Sequence, residues 1–467
     1  MHVRCLPSTD ALAYARRLRD RPCLALLDSA MRHEALGRYS FVACDPFGLF
    51  EVREGRALWN GEMLEGQPLA ALRDVLARYR QEVRNDLPPF QGGALGYVGY
   101  EFGSVLESVP CLGEGGDVPQ LRLGFYDVVV AIDHGQDRAW LVSTGWPEQD
   151  PARRIDRAAR RSDEVAHWLD GSDRRLSPRD DAAKPSASWR SNFDRSGYEA
   201  AVARVRDLIL DGDVFQANIA QHFRAACPAS VDPLAFYERL RAVNAAPFAA
   251  FLDFGDLVVA SSSPERFLKV EGIRVETRPI KGTARRSGDP DEDARALEAL
   301  LASDKDKAEN VMIVDLLRND LSRVCRPHTV EVPVLCGPES YASVHHLVSV
   351  VTGELAPGKD ALDLLAAAFP GGSVTGAPKV RAMEIIAEIE QIPRGIYCGA
   401  IGYIGFDGAM DTNIAIRTVT FRDGEASVHA GGGITLLSDP GAEYEETLAK
   451  VGRIFAAFET AREEPAA

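Results

Sequence analysis

The first 144 residues alternate short apolar runs with turn residues. The runs are CLALLDS, YSFVACDP, GLFEVR, ALGYVGY, FYDVVVAID and AWLVST, and Gly, Pro, Asp and Ser separate them. Runs of this length between turn residues predict the strands of a meandering sheet, with one helix over residues 68–80. Residues 1–144 are therefore predicted to form a sheet-rich region.

Beyond residue 190 the pattern mixes helices with strands. Ser196-Gly197-Tyr198-Glu199 has the form of a capping box and predicts a helix that Gly212 closes. Ser303 and Asp306 predict the start of a second helix that runs through Asp320, and a last helix is predicted over residues 442–460. The predicted strands are DLVVASS, RFLKVEG, IRVETRPI, IYCGAIGYIGF, NIAIRTVTF and ASVHAGGGI.

Short turns join most of these strands, which favours an α+β fold with a largely antiparallel sheet. A Rossmann fold is excluded because no GxGxxG follows a strand and opens a helix. In NIAIRTVTF, alternation predicts that Arg417 shares a face with Asn413, Ala415 and Val419.

Residues 145–190 are dense in Arg, Asp, Pro and Ser. The first half of this segment is predicted to be a solvated helix and the second half a flexible linker. The sequence thus divides into a sheet-rich region (1–144), a charged helix and linker (145–190) and a catalytic region (191–467).

Composition narrows the class of protein. The 467 residues are 46% hydrophobic and 26% charged, which is typical of a globular protein. No apolar run is long enough for a transmembrane helix, the N-terminus lacks a signal-peptide core, and the eight cysteines form no CxxC pair. A net charge of −16 argues against nucleic-acid or membrane binding. A cytoplasmic enzyme that acts on small molecules is the expectation.

Two predicted helices each carry a pair of acidic residues on one face. The pairs are Asp306 with Glu309 and Glu443 with Glu446. Two carboxylate pairs could hold a hard cation such as Mg²⁺, which binds few carboxylates together with substrate oxygens. The alternative on spacing alone is ordinary surface charge.

Glycine-rich segments at 371–379 and 431–433 are candidate anion-binding loops, although each could equally be a turn that requires glycine. At the end of a predicted strand, Lys281 lies close in sequence to Glu265. A desolvated lysine there could act as a nucleophile, and a surface ion pair is the alternative.

The whole set of motifs resembles the chorismate-utilising enzymes, and most closely the aminodeoxychorismate synthase component I proteins. The resemblance covers nearly the whole chain and is strongest over residues 189–458. It is carried by QGGALGYVGY, SPERF, TRPIKGT, KAENVMIVDLLRNDLSRV, VHHLVS, FPGGSVTGAPKVRAMEII and HAGGGI. It implies a large α+β sandwich of antiparallel sheets, with helices outside and the site in a cleft.

The resemblance also implies roles for individual residues. Lys281, Glu265 and His346 would be catalytic, with Glu265 as the general acid that protonates the departing 4-hydroxyl group. Glu309 and Glu446 would bind Mg²⁺, with Glu443 and Asp306 as nearby carboxylates. The implied substrate-binding residues are Tyr403, Arg417, Gly432, Gly433, Ser373, Thr375, Arg318, Arg323 and Gly282.

The implied activity is amination of chorismate at C4, a transferase reaction that gives 4-amino-4-deoxychorismate for p-aminobenzoate and folate synthesis. Water-using relatives carry lysine where this chain has Gln216, so ammonia is the expected nucleophile. No glutaminase triad is encoded, so a separate class I glutamine amidotransferase is the expected partner. The alternatives are anthranilate synthase component I and a catalytically silent, amino-acid-binding regulatory protein.

A tryptophan pocket is a further expectation from the resemblance. Segments of this chain resemble family segments that surround bound tryptophan, although Asp28 stands where anthranilate synthases carry glutamate and Ala249 where relatives carry serine. Ordinary core packing is the alternative. The residues concerned are Ser29, Tyr39, Ser40, Pro247 and Phe248.

Overall fold

The structure is a computed structural model that describes residues 1–31, 36–110, 118–170, 188–228, 230–341 and 344–459. In these ranges the α-helices are Ala11–Arg17 (α1), Pro68–Ala77 (α2), Gly103–Leu106 (α3), Pro151–Asp170 (α4), Arg195–Leu210 (α5), Pro233–Val243 (α6), Pro290–Ala302 (α7), Asp304–Ser322 (α8), Ala361–Ala368 (α9), Lys379–Glu390 (α10) and Pro440–Glu459 (α11). Two short 3₁₀ helices cover Tyr100–Phe102 and Gly372–Val374.

The strands are His2–Leu6 (β1), Leu24–Asp28 (β2), Tyr39–Ala43 (β3), Gly48–Arg53 (β4), Arg56–Trp59 (β5), Glu62–Met63 (β6), Gly93–Val98 (β7), Leu121–Tyr126 (β8), Val128–Asp133 (β9), Arg138–Ser143 (β10), Arg190–Ser191 (β11), Gln216–Ala226 (β12), Phe248–Asp253 (β13), Val258–Ser263 (β14), Arg266–Glu271 (β15), Arg274–Thr277 (β16), Ile280–Arg285 (β17), Glu331–Ser340 (β18), Val344–Glu354 (β19), Gly376–Ala377 (β20), Ala400–Gly405 (β21), Met410–Ile414 (β22), Thr418–Arg422 (β23) and Glu425–Ile434 (β24).

Two antiparallel sheets of 12 strands each contain all of these strands. The first sheet has the order β1-β10-β9-β3-β2-β13-β14-β23-β24-β12-β11, with β20 beside β12. The second has the order β17-β19-β16-β15-β22-β21-β7-β8-β4-β5-β6, with β18 beside β19. Strands from before residue 145 and after residue 190 share both sheets, so the three segments of the sequence are not separate layers of the fold.

Three layers of apolar side chains hold the sheets and helices together. Between the sheets, residues such as Phe41, Tyr97 and Val259 form one core. Helices α1, α4, α6 and α11 cover the outer face of the first sheet, and α2, α8 and α9 cover the outer face of the second. The α+β sandwich with outer helices is thus confirmed. No helix of the described part meets the length and hydropathy needed to cross a membrane.

The predicted helices are present, with one corrected start. The Ser303 side chain accepts from the backbone N–H of Asp306 at 3.2 Å, as its motif predicts. The capping box at Ser196 is wrong, however, because Asp194 is the N-cap of α5 and its carboxylate accepts from the Gly197 N–H at 2.7 Å. The charged segment begins with α4 as predicted, and its linker half, 171–187, lies outside the described residues.

Two predicted strands are each divided in the structure. IRVETRPI becomes β16 and β17, because Pro279 cannot donate to a strand ladder. NIAIRTVTF becomes β22 in the second sheet and β23 in the first. The prediction that Arg417 continues a single alternating strand is therefore wrong: Arg417 lies in the crossing between sheets, with a left-handed φ of 51°.

Candidate active site

Glu265 lies in the short connection between β14 and β15. Its carboxylate accepts from the Ser373 hydroxyl at 2.8 Å, and its backbone carbonyl accepts from the Ile414 N–H at 3.0 Å. Only 5% of the residue is exposed. Burial raises the pKa of Glu265 to about 7, although the Ser373 hydroxyl and the charge of Lys281 act against this rise. The carboxyl group can therefore hold a proton near neutral pH.

Lys281 enters the same space from β17. The ladder between β17 and β19 shifts register after Lys281, and Gly282 is the extra residue of this bulge. Gly282 has a φ of 79°, and a Cβ atom there would lie 3.0 Å from the Asp306 Cβ. Burial lowers the pKa of Lys281, whereas the carboxylates of Glu309 and Glu265 act in the opposite direction. The bulge therefore points an amine with a reduced proton affinity towards two acids.

His346 lies on β19, opposite Thr283 of β17. Its Nδ1 is 2.8 Å from the Thr283 hydroxyl oxygen. Burial, and next the charge of Arg417, lower the pKa of His346 to about 4. The ring is consequently neutral at pH 7 and can line a binding site without adding charge.

Arg417 supplies a cation from the crossing between the two sheets. Its left-handed backbone is unusual for a residue with a side chain and indicates a locally strained position. Burial, and next the charge of Arg453, lower the pKa of Arg417, and only Glu265 favours its charged form. Among the described residues it has no ion-pair partner. An arginine in this position is suited to an anion that comes from solution.

Three carboxylates form an acidic cluster: Glu309 of α8, and Glu443 and Glu446 of α11, which packs on β24. Burial raises the pKa of Glu309 and of Glu443. Burial also favours the neutral form of Glu446, but the Lys450 ammonium outweighs it and the net pKa is lowered. The Lys450 Nζ lies 2.6 Å from the Glu446 Oε1 and donates to the Gly431 carbonyl at 2.7 Å. The cluster is thus partly neutralised by the chain's own lysines.

The glycines of β24 make room for the site's side chains. A Cβ atom at Gly432 would lie 2.8 Å from the Glu443 Oε2, and one at Gly433 would lie 2.2 Å from the Gln216 Nε2. Any side chain at these positions would displace Glu443 or Gln216. Glycine is therefore required at both positions, because it allows the Glu443 and Gln216 side chains to lie close to the backbone of β24.

The loop over residues 371–378 connects Glu265 to β12 through hydrogen bonds. The Asn218 Nδ2 donates to the Ser373 carbonyl at 2.9 Å, and Gln216 donates to the Asn218 Oδ1 at 3.1 Å. The Thr375 hydroxyl instead donates to the Gly371 carbonyl at 3.0 Å. Ser373 consequently contacts Glu265 directly, whereas Thr375 donates to the backbone of its own loop.

Three predicted site residues lie elsewhere. Tyr403 packs in the core between the sheets, with its ring centroid 4.6 Å from that of Phe90. Arg318 is exposed and pairs with Asp315 at 2.9 Å. Arg318 follows Glu309 by nine residues on α8, which is about two and a half helical turns, so their side chains lie on opposite faces of the helix.

Arg323, which caps the far end of α8, donates to the Ala367 carbonyl at 3.3 Å. It lies about 21 Å along the helix from Glu309. Neither Arg318 nor Arg323 therefore reaches the acidic cluster.

The residues of the expected tryptophan pocket are paired with other protein atoms. The Ser29 hydroxyl donates to the Tyr39 carbonyl at 2.5 Å, and the Ser29 N–H donates to the Ser40 hydroxyl at 3.0 Å. The Phe248 carbonyl, next to the buried Pro247, accepts from the Asn413 Nδ2 at 2.9 Å. These contacts form an ordinary hydrogen-bond network within the first sheet and its neighbour.

The sequence analysis missed several residues of the site. Lys305 approaches Glu309 to 3.9 Å, and it lies four residues before it, as Lys450 lies four after Glu446. That spacing, one helical turn, indicates Lys450 from the sequence and could equally have identified Lys305 as a partner of Glu309. Asn218 could have been found as the same-face neighbour of Gln216 if β12 had been predicted. No sequence signal marks Arg453.

Together these groups support a particular kind of chemistry. A lysine with a lowered pKa can attack an electron-poor carbon, and a carboxyl group with a raised pKa can protonate a departing oxygen. The arginine, which has no ion-pair partner among the described residues, can bind a carboxylate of a small molecule. No three His, Cys, Asp or Glu side chains within the described ranges converge into a complete metal site.

Comparisons with known proteins agree with this chemistry. The family model for chorismate binding enzymes matches residues 26–456. Aminodeoxychorismate synthase component 1 of Escherichia coli (strain K12) is 41% identical over 96% of this chain and 95% of its own length. Anthranilate synthase component 1 of Thermus thermophilus is 39% identical over 97% and 96%.

Solved structures extend the agreement to the fold. Anthranilate synthase component I from Streptococcus pneumoniae superimposes with a TM-score of 0.76 at 32% identity, covering 90% of this chain and 92% of its own. The isochorismate synthase MenF of Escherichia coli shares the fold, with a TM-score of 0.69 at 17% identity over 98% of this chain and 95% of its own. The family model matches most of the chain, and the relatives above are about 40% identical over nearly its whole length. The chain is therefore a member of the chorismate binding enzyme family.

Proposed function

We propose that this chain aminates chorismate at C4 and so produces 4-amino-4-deoxychorismate, with ammonia from a separate class I glutamine amidotransferase. The observation that carries the proposal is the placement of Lys281 beside a carboxyl group, Glu265, whose pKa lies near 7. The pair supplies a nucleophile and a general acid to one small space.

The reaction divides into two substitutions. In the first, the neutral Lys281 amine bonds to C2 of chorismate, the two ring double bonds shift, and the C4–O bond breaks as Glu265 gives its proton to the departing hydroxyl group, which leaves as water. In the second, ammonia bonds to C4, the double bonds shift back, and the C2–N bond to Lys281 breaks. Glu265, now a carboxylate, accepts the proton that ammonia releases.

Arg417 would hold one carboxylate of the substrate, because it is a buried cation without an anionic partner among the described residues. His346 and the Ser373 loop would line the ring. In the rival role for Lys281, its ammonium only directs ammonia away from C2 by electrostatic repulsion.

The acidic cluster fits Mg²⁺, since Glu443 interacts electrostatically with both Glu309 and Glu446, and Mg²⁺ binds through one or two protein carboxylates together with substrate oxygens. Glu309 and Glu446 would bind the ion, with Glu443 beside them. When bound, the ion would neutralise the ring carboxylate of chorismate.

Product analysis with the purified chain tests this function. Incubation with chorismate, Mg²⁺ and a high concentration of ammonium is expected to yield 4-amino-4-deoxychorismate, identified chromatographically and by conversion to p-aminobenzoate with an added lyase. Glutamine without a partner should support no turnover. Consumption of chorismate to another product, or turnover with glutamine alone, would contradict the proposal.

Anthranilate synthase activity is the second candidate, because relatives of 39% and 32% identity carry that name. Ammonia would then bond to C2 as the ring double bonds shift and the 4-hydroxyl group leaves as water, and loss of the enolpyruvyl group as pyruvate together with the C2 proton would give the aromatic ring. The same incubation separates the two candidates, since only this route gives fluorescent anthranilate. Lys281 supports the first candidate. This chain has lysine in the segment PIKGT (residues 279–283), whereas anthranilate synthases resemble PIAGT, with alanine at that position.

A further inference from the structure

The buried face of α8 carries an amide in line with apolar side chains. Helix α8 packs against β17, β18 and β19 of the second sheet. Most of its buried positions are apolar: Ile313, Val314, Leu317 and Leu321. Asn310 continues this face towards the start of the helix and is 0% exposed. Because a buried amide costs free energy unless its hydrogen bonds are made, the partners of Asn310 indicate its role.

The Asn310 side chain is bonded to β19 through both of its polar atoms. Its Nδ2 donates to the Leu347 carbonyl at 3.3 Å, and its Oδ1 accepts from the Ser349 hydroxyl. The Ser349 oxygen in turn accepts from the Cys336 N–H of β18 at 2.9 Å. These bonds fix the orientation of the amide, since an exchanged amide would place its oxygen against the Leu347 carbonyl oxygen.

The two residues of β19 that Asn310 contacts are the ones beside Lys281. Leu347 is the ladder partner of Lys281, and the Ser349 N–H donates to the Pro279 carbonyl at 3.1 Å. Residues 347–349 are therefore joined to β17 by the strand ladder and to α8 by the Asn310 amide. The bulge at Gly282 begins directly after this stretch.

Asn310 also follows Glu309 directly in α8. After burial itself, the Glu309 carboxylate has the largest effect on the pKa of Lys281, and it favours the charged ammonium. Glu309 belongs to a helix and Lys281 to a strand, so the distance between them depends on how α8 lies on the sheet. Apolar contacts are non-directional and allow a helix to slide, whereas hydrogen bonds from one amide to two points of a strand specify one arrangement.

We propose that Asn310 is a positioning residue for Lys281: its bonds to Leu347 and Ser349 set where α8 lies on β19, and so set the distance between the Glu309 carboxylate and the Lys281 amine. The inference deepens the proposed function and rests on it for the role of Lys281 as the nucleophile. Since the amide is fully buried and both of its polar atoms are bonded to β19, it acts through position and not by contact with the substrate.

Steady-state kinetics of the isolated chain with ammonium test this role. Asn310→Leu keeps the size of the side chain and loses both hydrogen bonds. Its kcat is expected to fall about 10²-fold, the effect of displacing a reacting group by about 1 Å. The KM for chorismate should stay the same, because Arg417 and the Ser373 loop, which would hold the substrate, do not belong to α8.

A second variant removes one of the two bonds from the side of the strand. Ser349→Ala lacks the hydroxyl group and keeps the Leu347 carbonyl as a partner for Asn310. It is expected to lower kcat about ten-fold, less than Asn310→Leu does. Ser349→Ala also provides the test if Asn310→Leu does not fold.

Gln91→Met is the matched control for lost stability. Gln91 is likewise a buried amide, 2% exposed, and it lies before β7 and outside the candidate active site. Its Oε1 accepts from the Arg84 N–H at 2.9 Å and its Nε2 donates to the Arg84 carbonyl at 2.7 Å. The control should lower the midpoint of urea denaturation as Asn310→Leu does and leave kcat unchanged. An equal fall of kcat in both variants, or no fall in Asn310→Leu, would overturn the proposal.

Chemical labelling gives a readout that needs no turnover. Each protein is treated briefly with acetic anhydride in the absence of chorismate. Acetylation of Lys281 is then measured by peptide mass spectrometry relative to that of Lys359, an exposed lysine beside α9. The ratio is expected to rise several-fold in Asn310→Leu, because a displaced α8 no longer encloses the amine, and to stay the same in Gln91→Met.

A ratio that does not rise in Asn310→Leu, or that rises equally in Gln91→Met, would overturn the positioning role. If the wild type consumes no chorismate with ammonium, the proposed function fails, while the labelling ratio still decides whether Asn310 positions Lys281.

Discussion

Two regions of the molecule bury positive charge in different ways. At the ends of α10, Lys379 donates to the Asp320 carboxylate at 2.9 Å and to the Ala368 carbonyl at 2.6 Å, and Arg394 donates to Glu390 and to two backbone carbonyls. In the candidate active site, Lys281 and Arg417 make no ion pair with any described residue.

The difference separates structural charges from functional ones. A buried cation costs free energy unless the protein supplies an anion and enough acceptors. Lys379 and Arg394 meet this requirement within the chain, and they hold α10 and the Ser373 loop in place. Lys281 and Arg417 make no such ion pair with a described residue, although burial lowers the pKa of Lys379 as well as that of Lys281 and Arg417. A substrate with two carboxylates and an electron-poor ring would supply an anion for Arg417 and a carbon that the Lys281 amine can attack.

Replacement of the two lysines should give the largest contrast. Lys281→Ala is expected to lower ammonium-dependent turnover about 10³-fold or more, because it removes the nucleophile, while the free energy of unfolding stays the same or increases. Lys379→Ala is expected to lose about 3–5 kcal/mol of stability, because Asp320 is left as an unpaired buried charge. Product assays and urea denaturation of both variants measure the contrast.

Mass spectrometry sharpens the assignment of Lys281. With chorismate and without ammonium, the intact wild-type protein should gain an adduct that maps to Lys281. Near-full synthesis by Lys281→Ala together with no adduct in the wild type would refute a covalent role. A large loss of activity without an adduct would favour the electrostatic role instead.

The two arginines should repeat the contrast at a smaller scale. Arg417→Met is expected to lower kcat/KM for chorismate about 10²–10³-fold, since a charge-assisted contact to a substrate carboxylate is lost, with little change in stability. Arg394→Met should instead destabilise the fold by about 3–5 kcal/mol. Equal losses of stability in the two variants would contradict the distinction between paired and unpaired cations.

The pH dependence of turnover tests whether Glu265 acts as an acid. The pKa of Glu265 is raised to about 7, so kcat/KM, measured at a constant concentration of unprotonated ammonia, should fall up to ten-fold per unit above pH 7. Glu265→Gln should lose this limb. The folded state also holds the Glu265 proton after the unfolded chain has lost it. Stability should therefore decrease as pH rises from about 4.5 to 7, and Glu265→Gln should make that decrease smaller but not remove it, because burial also raises the pKa of Glu101 to about 7.

Local signals explain what the sequence could predict. The Ser303 cap lies within four residues of its acceptor, so it can be identified without knowledge of the fold. The strands with simple apolar alternation were found for the same reason. Lys281 and Glu265 were identified by resemblance, and the structure supplies the physical basis: a bulge at Gly282 and a buried turn at Glu265.

The remaining features depend on contacts between distant segments. Alternation reports which way a side chain faces but not which sheet the strand belongs to, so the crossing at Arg417 was missed. Tyr403 packs on Phe41 and Phe90, which are more than 300 residues away. Strand β12 was missed because its inner face carries Gln216, Asn218 and His222, polar residues that hide the usual strand pattern.

The expected tryptophan pocket extends the comparison from buried cations to a buried anion, the Asp28 carboxylate. Of these predictions, it should give the smallest measured effect. The Asp28 carboxylate, which would bind an amino group there, already accepts from Arg241 at 2.6 Å and from the Tyr237 hydroxyl at 3.0 Å. Because Asp28 already has these two partners, we expect it to stabilise the fold rather than to bind a ligand. Tryptophan should therefore bind weakly. At a concentration equal to its Kd, it should raise Tm by only about 0.4 °C. Arg241→Ala frees Asp28 and should strengthen tryptophan binding in calorimetry. Tight binding to the wild type, and weaker binding to Arg241→Ala, would mean that a paired carboxylate can still serve as a ligand site.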